Sequence, residues 1–369
     1  MSLTQYRTLG ASGLVVSPLA LGTMTFGTGR WGTDETSSRA IFDTYVAAGG
    51  NFVDTADIYS GGQSEEMLGR FIAQSGLRDK LVVATKFGFS RQQGTALAGG
   101  NGKKNIRAGI EGSLKRLQTD VIDMYWMHVW DRTTPAEEVL GTLSDAVRAG
   151  KILHYGFSNT PGWYVAKIAT LAAAHGLPKP IGLQYSYSLI DRGVELELAP
   201  AGAEFGLGLV PWSPLGGGLL TGKYGRDMLS RAEQAPAMPD SAGDGGEQGS
   251  DGRLNGDNPF GGMLFTERNF GVVDAVREIA QEAGKSMAQV SLAWVAARPG
   301  VSSVLIGASR PDQLVQNIAS LEVRLSADQL QRLEAATALP LPSPYFIFQL
   351  PRGAFFGGNE VAPWNASAH

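Results

Sequence analysis

Residues 51–86 read NFVDTADIYSGGQSEEMLGRFIAQSGLRDKLVVATK. An apolar run (NFVDTA, 51–56) leads into a segment of helical spacing (Ser64–Ala73), and a second apolar run (LVVATK, 81–86) follows. Neither run alternates strictly between apolar and polar residues, which is the pattern of strands buried on both faces of a parallel sheet. Strand, helix and return strand make one βαβ unit.

The unit repeats in both directions. Upstream lie LALGT (19–23) and a helical segment, Asp34–Ala48. Downstream follow Lys104–Leu117, VIDMYWMH (121–128), Pro135–Ala149, ILHYGFSN (152–159), Pro161–Ala174, IGLQY (181–185), Val194–Glu204 and LGLVPWS (207–213). The series closes with Glu267–Ala283, Ser286–Ala297, VSSVLIG (301–307) and Asp312–Ala319. Before it all, Tyr6–Leu9 and Leu14–Ser17 flank Gly10 and Gly13 and predict a β-hairpin. Eight strand–helix units in roughly 300 residues predict an α/β fold, a (β/α)8 TIM barrel over residues 1–339, with a doubly wound sheet as the alternative. Residues 340–369, rich in Pro and Phe and without helical period, predict an irregular C-terminal tail that packs on or near the barrel. Segment 239–262 holds eight Gly in 24 residues and is expected to be a long mobile loop after strand 7, on the face where barrel loops build sites. Helix-start signals agree with the units: Thr33 or Asp34 as a cap, and Pro135 and Pro161 at first helical positions. Glu65 and Glu66 read as first-turn acids that complement a helix dipole.

Composition narrows the function classes. The chain of 369 residues carries 31 Lys+Arg against 35 Asp+Glu, a formal charge of −4, so nothing suggests a nucleic-acid or anionic-membrane surface. No cysteine is present, which removes disulfides, thiolate nucleophiles and Cys-ligated metals. The opening MSLTQYRTLG has no signal-peptide pattern and no apolar run is long enough to span a bilayer, so the expectation is a soluble cytoplasmic protein.

Two motifs mislead. Gly27-x-Gly29-x-x-Gly32, with Asp54 22 residues after the last glycine, imitates a dinucleotide fingerprint, but Trp31 occupies the tight turn and the helix cap comes only after the third glycine. Gly217 to Lys223 imitates a P-loop, yet Tyr224 stands where the Mg²⁺-binding hydroxyl must be. The four histidines (His128, His154, His175, His369) form no ligand pair, so no metal is expected.

In a barrel, chemistry sits at the C-terminal strand ends. There the sequence offers Asp54 with Tyr59 just beyond, Lys86, His128, Ser158 and Asn159, Gln184, Trp212 and Ser213, and Gly307 with Ser309. Singly, each is an ordinary loop or core residue. Jointly, if the barrel is right, four protonic groups converge on one mouth, and Asp54 and Lys86 on adjacent strands can neutralise each other.

These residues resemble the aldo-keto reductases along nearly the whole chain: LGTMTFG near the start, FVDTADIYSGGQSEEMLG (52–69), VVATKFG (82–88), DMYWMHVWD (123–131), GKILHYGFSN (150–159), PWSPLGGGLLTGKY (211–224) and IGASRPDQLVQN (306–317). The branch it is most similar to includes bacterial reductases and potassium-channel β subunits. The resemblance implies a catalytic tetrad of Asp54, Tyr59, Lys86 and His128. It implies that NADPH/NADP+ lies with its nicotinamide on Trp212, its carboxamide held by Ser158, Asn159 and Gln184, and its ribose side against Gly22, Thr23 and Met24, with Asp54 nearby. It places Ser213, Pro214, Leu215, Gly216 and Lys223 at the pyrophosphate. It puts Gly307, Ser309, Arg310, Gln313, Gln316 and Asn317 around the adenosine and its 2′-phosphate, where a guanidinium favours NADPH over NADH.

The implied activity is reversible reduction of aldehydes or ketones by hydride transfer, with Tyr59 as general acid, Lys86 lending positive charge, Asp54 fixing Lys86 and a neutral His128 donating to the substrate oxygen. Trp31, Phe89 and Trp130, just past strand ends, suggest a pocket for an apolar or aromatic carbonyl or alcohol. Two rivals stand beside this: an NADP(H)-binding partner subunit with slow turnover, and a Schiff-base lyase using Lys86, which Asp54 disfavours by raising the lysine pKa. Oligomeric state stays open, a homo-oligomer included.

Overall fold

The structure is a computed structural model that describes residues 2–27, 32–229, 254 and 263–362. A hairpin of β1 (Arg7–Thr8) and β2 (Val15–Val16) comes first. The strands β3 (Leu19–Gly22), β4 (Phe52–Asp54), β5 (Val82–Phe87), β6 (Ile122–Met127), β7 (Ile152–Ser158), β8 (Gly182–Gln184), β9 (Gly208–Leu209) and β10 (Val304–Ile306) follow. They pair in parallel in the order β10-β3-β4-β5-β6-β7-β8-β9. The two ends of the sheet meet: Leu209 bridges Val301, Leu209 N–H donates to Gly300 O at 2.8 Å, and Leu305 N–H donates to Pro211 O at 2.9 Å. Closure makes this a (β/α)8 barrel and excludes the doubly wound alternative. The predicted run 207–213 yields only a two-residue ladder, since Pro211 has no N–H to give.

The connecting helices are α1 (Glu35–Ala47), α2 (Gln63–Ser75), α3 (Lys103–Leu117), α4 (Ala136–Arg148), α5 (Gly162–Ala174), α6 (Leu198–Phe205), α7 (Glu267–Ala283), α8 (Met287–Ala296), α9 (Pro311–Ile318) and α10 (Ala327–Thr337). Asp34, not Thr33, caps α1, accepting from Ser37 N at 2.7 Å. Pro135 and Pro161 lie one residue outside the first helical position, as caps with extended ψ of 142° and 143°. The sixth helix starts later than predicted because Val194 belongs to a 3-10 turn, Gly193–Glu195, whose Glu195 is drawn to Arg192 at 2.9 Å. Helix α10, unpredicted, lies after the last strand–helix unit and buries Leu333 and Thr337.

Met1–Thr337 and Ala338–His369 are two compact units. The described part of the second contains two 3-10 turns, Ile347–Gln349 and Arg352–Ala354, joined by short local bonds. Segment 239–262, apart from Leu254, lies outside the described residues, as does Trp31.

Period-two alternation sorts the strand residues. Ala20, Phe52, Val82, Ala84, Met124, Trp126, Val210 and Leu305 form one cluster inside the barrel, joined by Ile181, while Leu21, Val53, Val83, Tyr125, Phe157, Leu183 and Ile306 join the cluster shared with the helices. Leu9 and Val16 of the hairpin enter the inner cluster, and Ala11 N–H donates to Gly206 O at 2.8 Å, so the hairpin covers the N-terminal end. Chemistry is left to the other end. Trp126 fills the middle of the barrel, and the strands facing it carry Gly156 and Gly182. A Cβ at 156 would lie 2.6 Å from the Trp126 ring and one at 182 would lie 2.8 Å from it. Gly156→Ala is therefore expected to overpack this layer and to destabilise by about 1–3 kcal/mol. Thermal and denaturant unfolding check this, and an unchanged midpoint would contradict the packing.

Candidate active site

The alternation that fills the barrel also delivers the site. Two residues beyond the inward-facing Ala20, Phe52, Ala84, Trp126, Gly156, Gly182, Val210 and Leu305 come Gly22, Asp54, Lys86, His128, Ser158, Gln184, Trp212 and Gly307. One more step along each strand puts these residues at the C-terminal mouth, above an apolar interior.

Asp54 and Lys86 are both buried, with relative exposures of 2% and 1%, and they form a direct ion pair. Lys86 Nζ also donates to Thr55 O at 2.7 Å and to the Tyr59 hydroxyl at 3.3 Å, so all three ammonium protons have acceptors. The second Asp54 oxygen accepts from Gln184 Nε2 at 2.9 Å. Burial acts to lower the Lys86 pKa, but the charge and hydrogen bond of Asp54, together with Tyr59, outweigh it and hold the ammonium above the ordinary lysine range. A lysine held this way is an acid-side cation. It is poorly suited to the free-amine chemistry of a Schiff-base enzyme.

Tyr59 and His128 complete the group. The Lys86 ammonium lies 4.9 Å from the Tyr59 ring centroid, and the Tyr59 and His128 rings meet edge-on at 5.9 Å. Burial, then the neighbouring Lys86 charge, hold the His128 imidazole well below its usual pKa, so it is neutral at physiological pH. Its Nδ1 is buried without a protein partner among the described residues. Phe89 packs its ring edge-on to His128 at 4.9 Å. Trp130 packs against Trp163 at 5.5 Å and Tyr164 at 6.1 Å, and Trp163 is 57% exposed beside it.

The backbone around this mouth is strained where it turns. The described non-glycine residues with left-handed φ are Ser60, Gln118, Arg132, Asn159 and Ser213. Gln118 caps a helix, while Ser60 follows Tyr59, Asn159 follows Ser158 and Ser213 follows Trp212. Such conformations cost energy and cluster at sites where geometry matters more than stability.

The remaining sequence-predicted residues fall on adjoining strand ends, in the turns after β9 and in or just before α9. Gly22 is in register with Asp54, Thr23 N–H donates to Asp54 O at 2.9 Å, and Met24 follows. Ser158 is in register with Gln184, and Asn159 Nδ2 donates to His128 O at 2.9 Å. Ser186 bridges Trp212, whose Nε1 is buried without a protein partner. Ser213, Pro214, Leu215 and Gly216 form the turn after β9, where Gly216, Gly217 and Gly218 all have positive φ and Lys223 Nζ lies 3.3 Å from where a Gly218 Cβ would be. Thr25 Oγ1 donates to Ala308 O at 3.2 Å, joining the first strand end to the last. Ser309 N–H donates to Gln313 at 2.9 Å, and Arg310 is exposed and paired with Asp312 at 3.1 Å. Asn317 donates to Gly307 O at 3.2 Å, and Gln316 accepts from Gln289 at 3.4 Å. A dinucleotide fits this donor set. A Cβ at Gly307 would meet nothing within 4 Å, and the bare backbone of 216–218 beside Lys223 suits a pyrophosphate.

Sequence reasoning missed several contacts. Gln184 buttresses Asp54. Glu65, besides opening α2, is fully buried, accepting from Thr85 Oγ1 at 2.6 Å and pairing with Arg116 at 2.6 Å. Asp57 and Arg91 also pair, at 2.9 Å. The signal available was the second acid of DTAD (54–57), too common in a loop to single out. Among the described residues no group of three or more His, Asp or Glu could hold a metal ion.

Removing Lys86 strands a buried carboxylate. Lys86→Met is expected to cost about 3–5 kcal/mol at pH near 8. The lone Asp54 then has a folded pKa above its unfolded one, so the deficit shrinks as pH falls below that raised value, where the carboxyl is neutral. Denaturant unfolding at two pH values measures this, with Asp54→Asn/Lys86→Met expected to recover most of the loss.

Known proteins are similar to this chain along most of its length. The model of the Aldo/keto reductase family matches residues 18–338. An oxidoreductase from Bacillus subtilis, YrpG, is 35% identical over 89% of this chain and 94% of its own length. Norsolorinic acid reductase from Aspergillus flavus is 31% identical over 96% of this chain and 86% of its own, and the Escherichia coli protein Tas is 35% identical over 90% and 97%. With its closed barrel and its Asp54, Tyr59, Lys86 and His128 gathered at one mouth, the chain belongs to the aldo/keto reductase family, a family of oxidoreductases.

Proposed function

We propose that this protein is an NADPH-dependent reductase of aldehydes and ketones. The observation that carries the reading is the Lys86 ammonium, held by Asp54, in contact with the Tyr59 hydroxyl beside a neutral His128. Reduced nicotinamide, when bound, supplies a hydride to the carbonyl carbon. The chain supplies the proton. Tyr59 releases it to the forming alkoxide, and the adjacent ammonium stabilises the phenolate left behind. His128, as a neutral donor, steadies the substrate oxygen without repelling Lys86. Asp54 and the Thr55 carbonyl keep Lys86 in place throughout. In the reverse direction the same groups accept the alcohol proton.

Arg310 supports NADPH over NADH. Its exposed guanidinium is partnered by Asp312, a contact that an adenosine 2′-phosphate can replace. Phe89 against His128, with Trp130 and Trp163 beyond, favours a flat, apolar carbonyl, and a relative named for reducing norsolorinic acid agrees with this. We place the protein in the cytoplasm, in keeping with its cysteine-free sequence; no described helix is long and apolar enough to cross a membrane.

NADPH oxidation against a panel of small and aromatic carbonyls tests the reading. Tyr59→Phe is expected to lower turnover by about 10²-fold or more while NADPH still quenches tryptophan fluorescence. Unchanged turnover rejects Tyr59 as the acid. Arg310→Ala is expected to raise the NADPH Kd about tenfold and to leave the NADH Kd unchanged, as measured by the same fluorescence titration.

A further inference from the structure

Two residues before Tyr59 lies an ion pair with a fully buried carboxylate that the chemistry above does not use. Asp57 has a side chain with 0% exposure and accepts from Arg91 Nη1 at 2.9 Å. Arg91 belongs to the loop after β5, residues 88–102, and its other arm donates to Asn105 Oδ1 at 2.8 Å. Asn105 in turn donates to Gly100 O at 2.7 Å. The loop closes on itself through Arg91 N–H to Ala98 O at 3.0 Å and Gly100 N–H to Gly88 O at 2.8 Å. The pair thus holds the loop at one end, and the loop carries Phe89, whose ring lies against His128.

The other end is fastened to the loop after β6. Asn101 and Asp131 exchange two bonds of 2.8 Å, and Asn101 Nδ2 donates to Val129 O at 3.0 Å. Three loops, bearing Tyr59, Phe89 and His128, are therefore stitched together by partly buried polar links.

The cost of the arrangement argues for a role beyond stability. The second Asp57 oxygen and the nearby Tyr125 hydroxyl are buried without partners among the described residues. Such groups are destabilising and ask for a reason. Helix α3 makes room for the pair with Gly109, where a Cβ would lie 2.7 Å from the Tyr125 hydroxyl and 3.4 Å from Arg91 Nη1. Burial and then Glu65 from α2 push the Asp57 carboxyl upward, to about 6, against the pull of Arg91 and of Arg116 from α3.

We propose that Asp57 and Arg91 are positioning residues: their ion pair holds loop 88–102, and Phe89 with it, against His128, so that a carbonyl oxygen is presented to Tyr59 and His128 in one orientation. This rests on the reductase reading for its kinetic consequence, but not for its structural one. Hydrogen exchange of the loop reads the latch without turnover. In Arg91→Gln and in Asp57→Asn, protection of the Arg91 and Gly100 amides is expected to fall at least tenfold, while strands β5 and β6 stay protected. In steady-state kinetics both variants are expected to raise the carbonyl KM and lower kcat, together at least tenfold in kcat/KM, with the NADPH Kd within twofold of wild type. Arg91→Lys is expected to restore part of the loss. The double variant is expected to be no worse than the worse single one, as for two groups acting through one contact. Unchanged loop protection in both single variants overturns the proposal whether or not the wild type turns over carbonyls. Lost protection with kcat/KM within twofold of an active wild type also overturns it. A wild type that reduces no carbonyl, with loop protection lost in the variants, counts against the reductase reading and leaves the latch standing.

Discussion

A lysine ammonium buried against an aspartate at the open end of a barrel is the constraint on which the rest of this structure depends. A charge taken out of water must be paired and fully hydrogen-bonded, or it costs more than a domain of this size can spare. Lys86 meets that demand with the Asp54 carboxylate, the Thr55 carbonyl and the Tyr59 hydroxyl. Because the first two are fixed by strand β4 and the residue that follows it, the direction toward Tyr59 is fixed as well. Gln184, from the far side of the mouth, occupies the other Asp54 oxygen and prevents the carboxylate from turning away.

The barrel supplies the rigidity that such a pair needs. Its interior is packed with apolar side chains around Trp126, sealed at the N-terminal end by Leu9 and Val16, so the polar layer rests on a floor that excludes water. Three of the five described non-glycine residues with left-handed φ sit in the turns above that floor. Ser60, Asn159 and Ser213 adopt left-handed backbone directly after Tyr59, Ser158 and Trp212, aiming those side chains at the costs that such conformations carry. Stability is spent at one end of the molecule and recovered in its middle.

Much of this was legible in the sequence because short apolar runs take turns with segments of helical spacing. Apolar runs without strict alternation mark the buried parallel strands, and each ends in a polar residue before helical spacing resumes, so Asp54, Lys86, His128, Gln184 and Trp212 could be placed at one mouth from the sequence. What escaped has identifiable physical causes. Pro135 and Pro161 suit a cap as well as a first helical position, since neither place requires an N–H. Val194 has helix-compatible spacing but is captured in a 3-10 turn beside the Arg192–Glu195 pair. Helix α10 is about as amphipathic as α7, but it follows the last strand–helix unit, where the repeating pattern calls for no further element. Glu65, Asp57 and Arg91 were invisible as a group because their significance lies in tertiary pairing across α2, α3 and two loops, and a charged residue in a loop reads as solvated until its partner is known.

The central claim is that Lys86 is a permanently charged group held by Asp54, and the ¹⁵N resonance of its Nζ reports this most directly. Followed against pH, the wild-type resonance is expected to remain that of an ammonium through and beyond the range where ordinary lysines titrate, and Asp54→Asn is expected to bring its titration down. A Lys86 amine already neutral near pH 7 in the wild type would contradict the account.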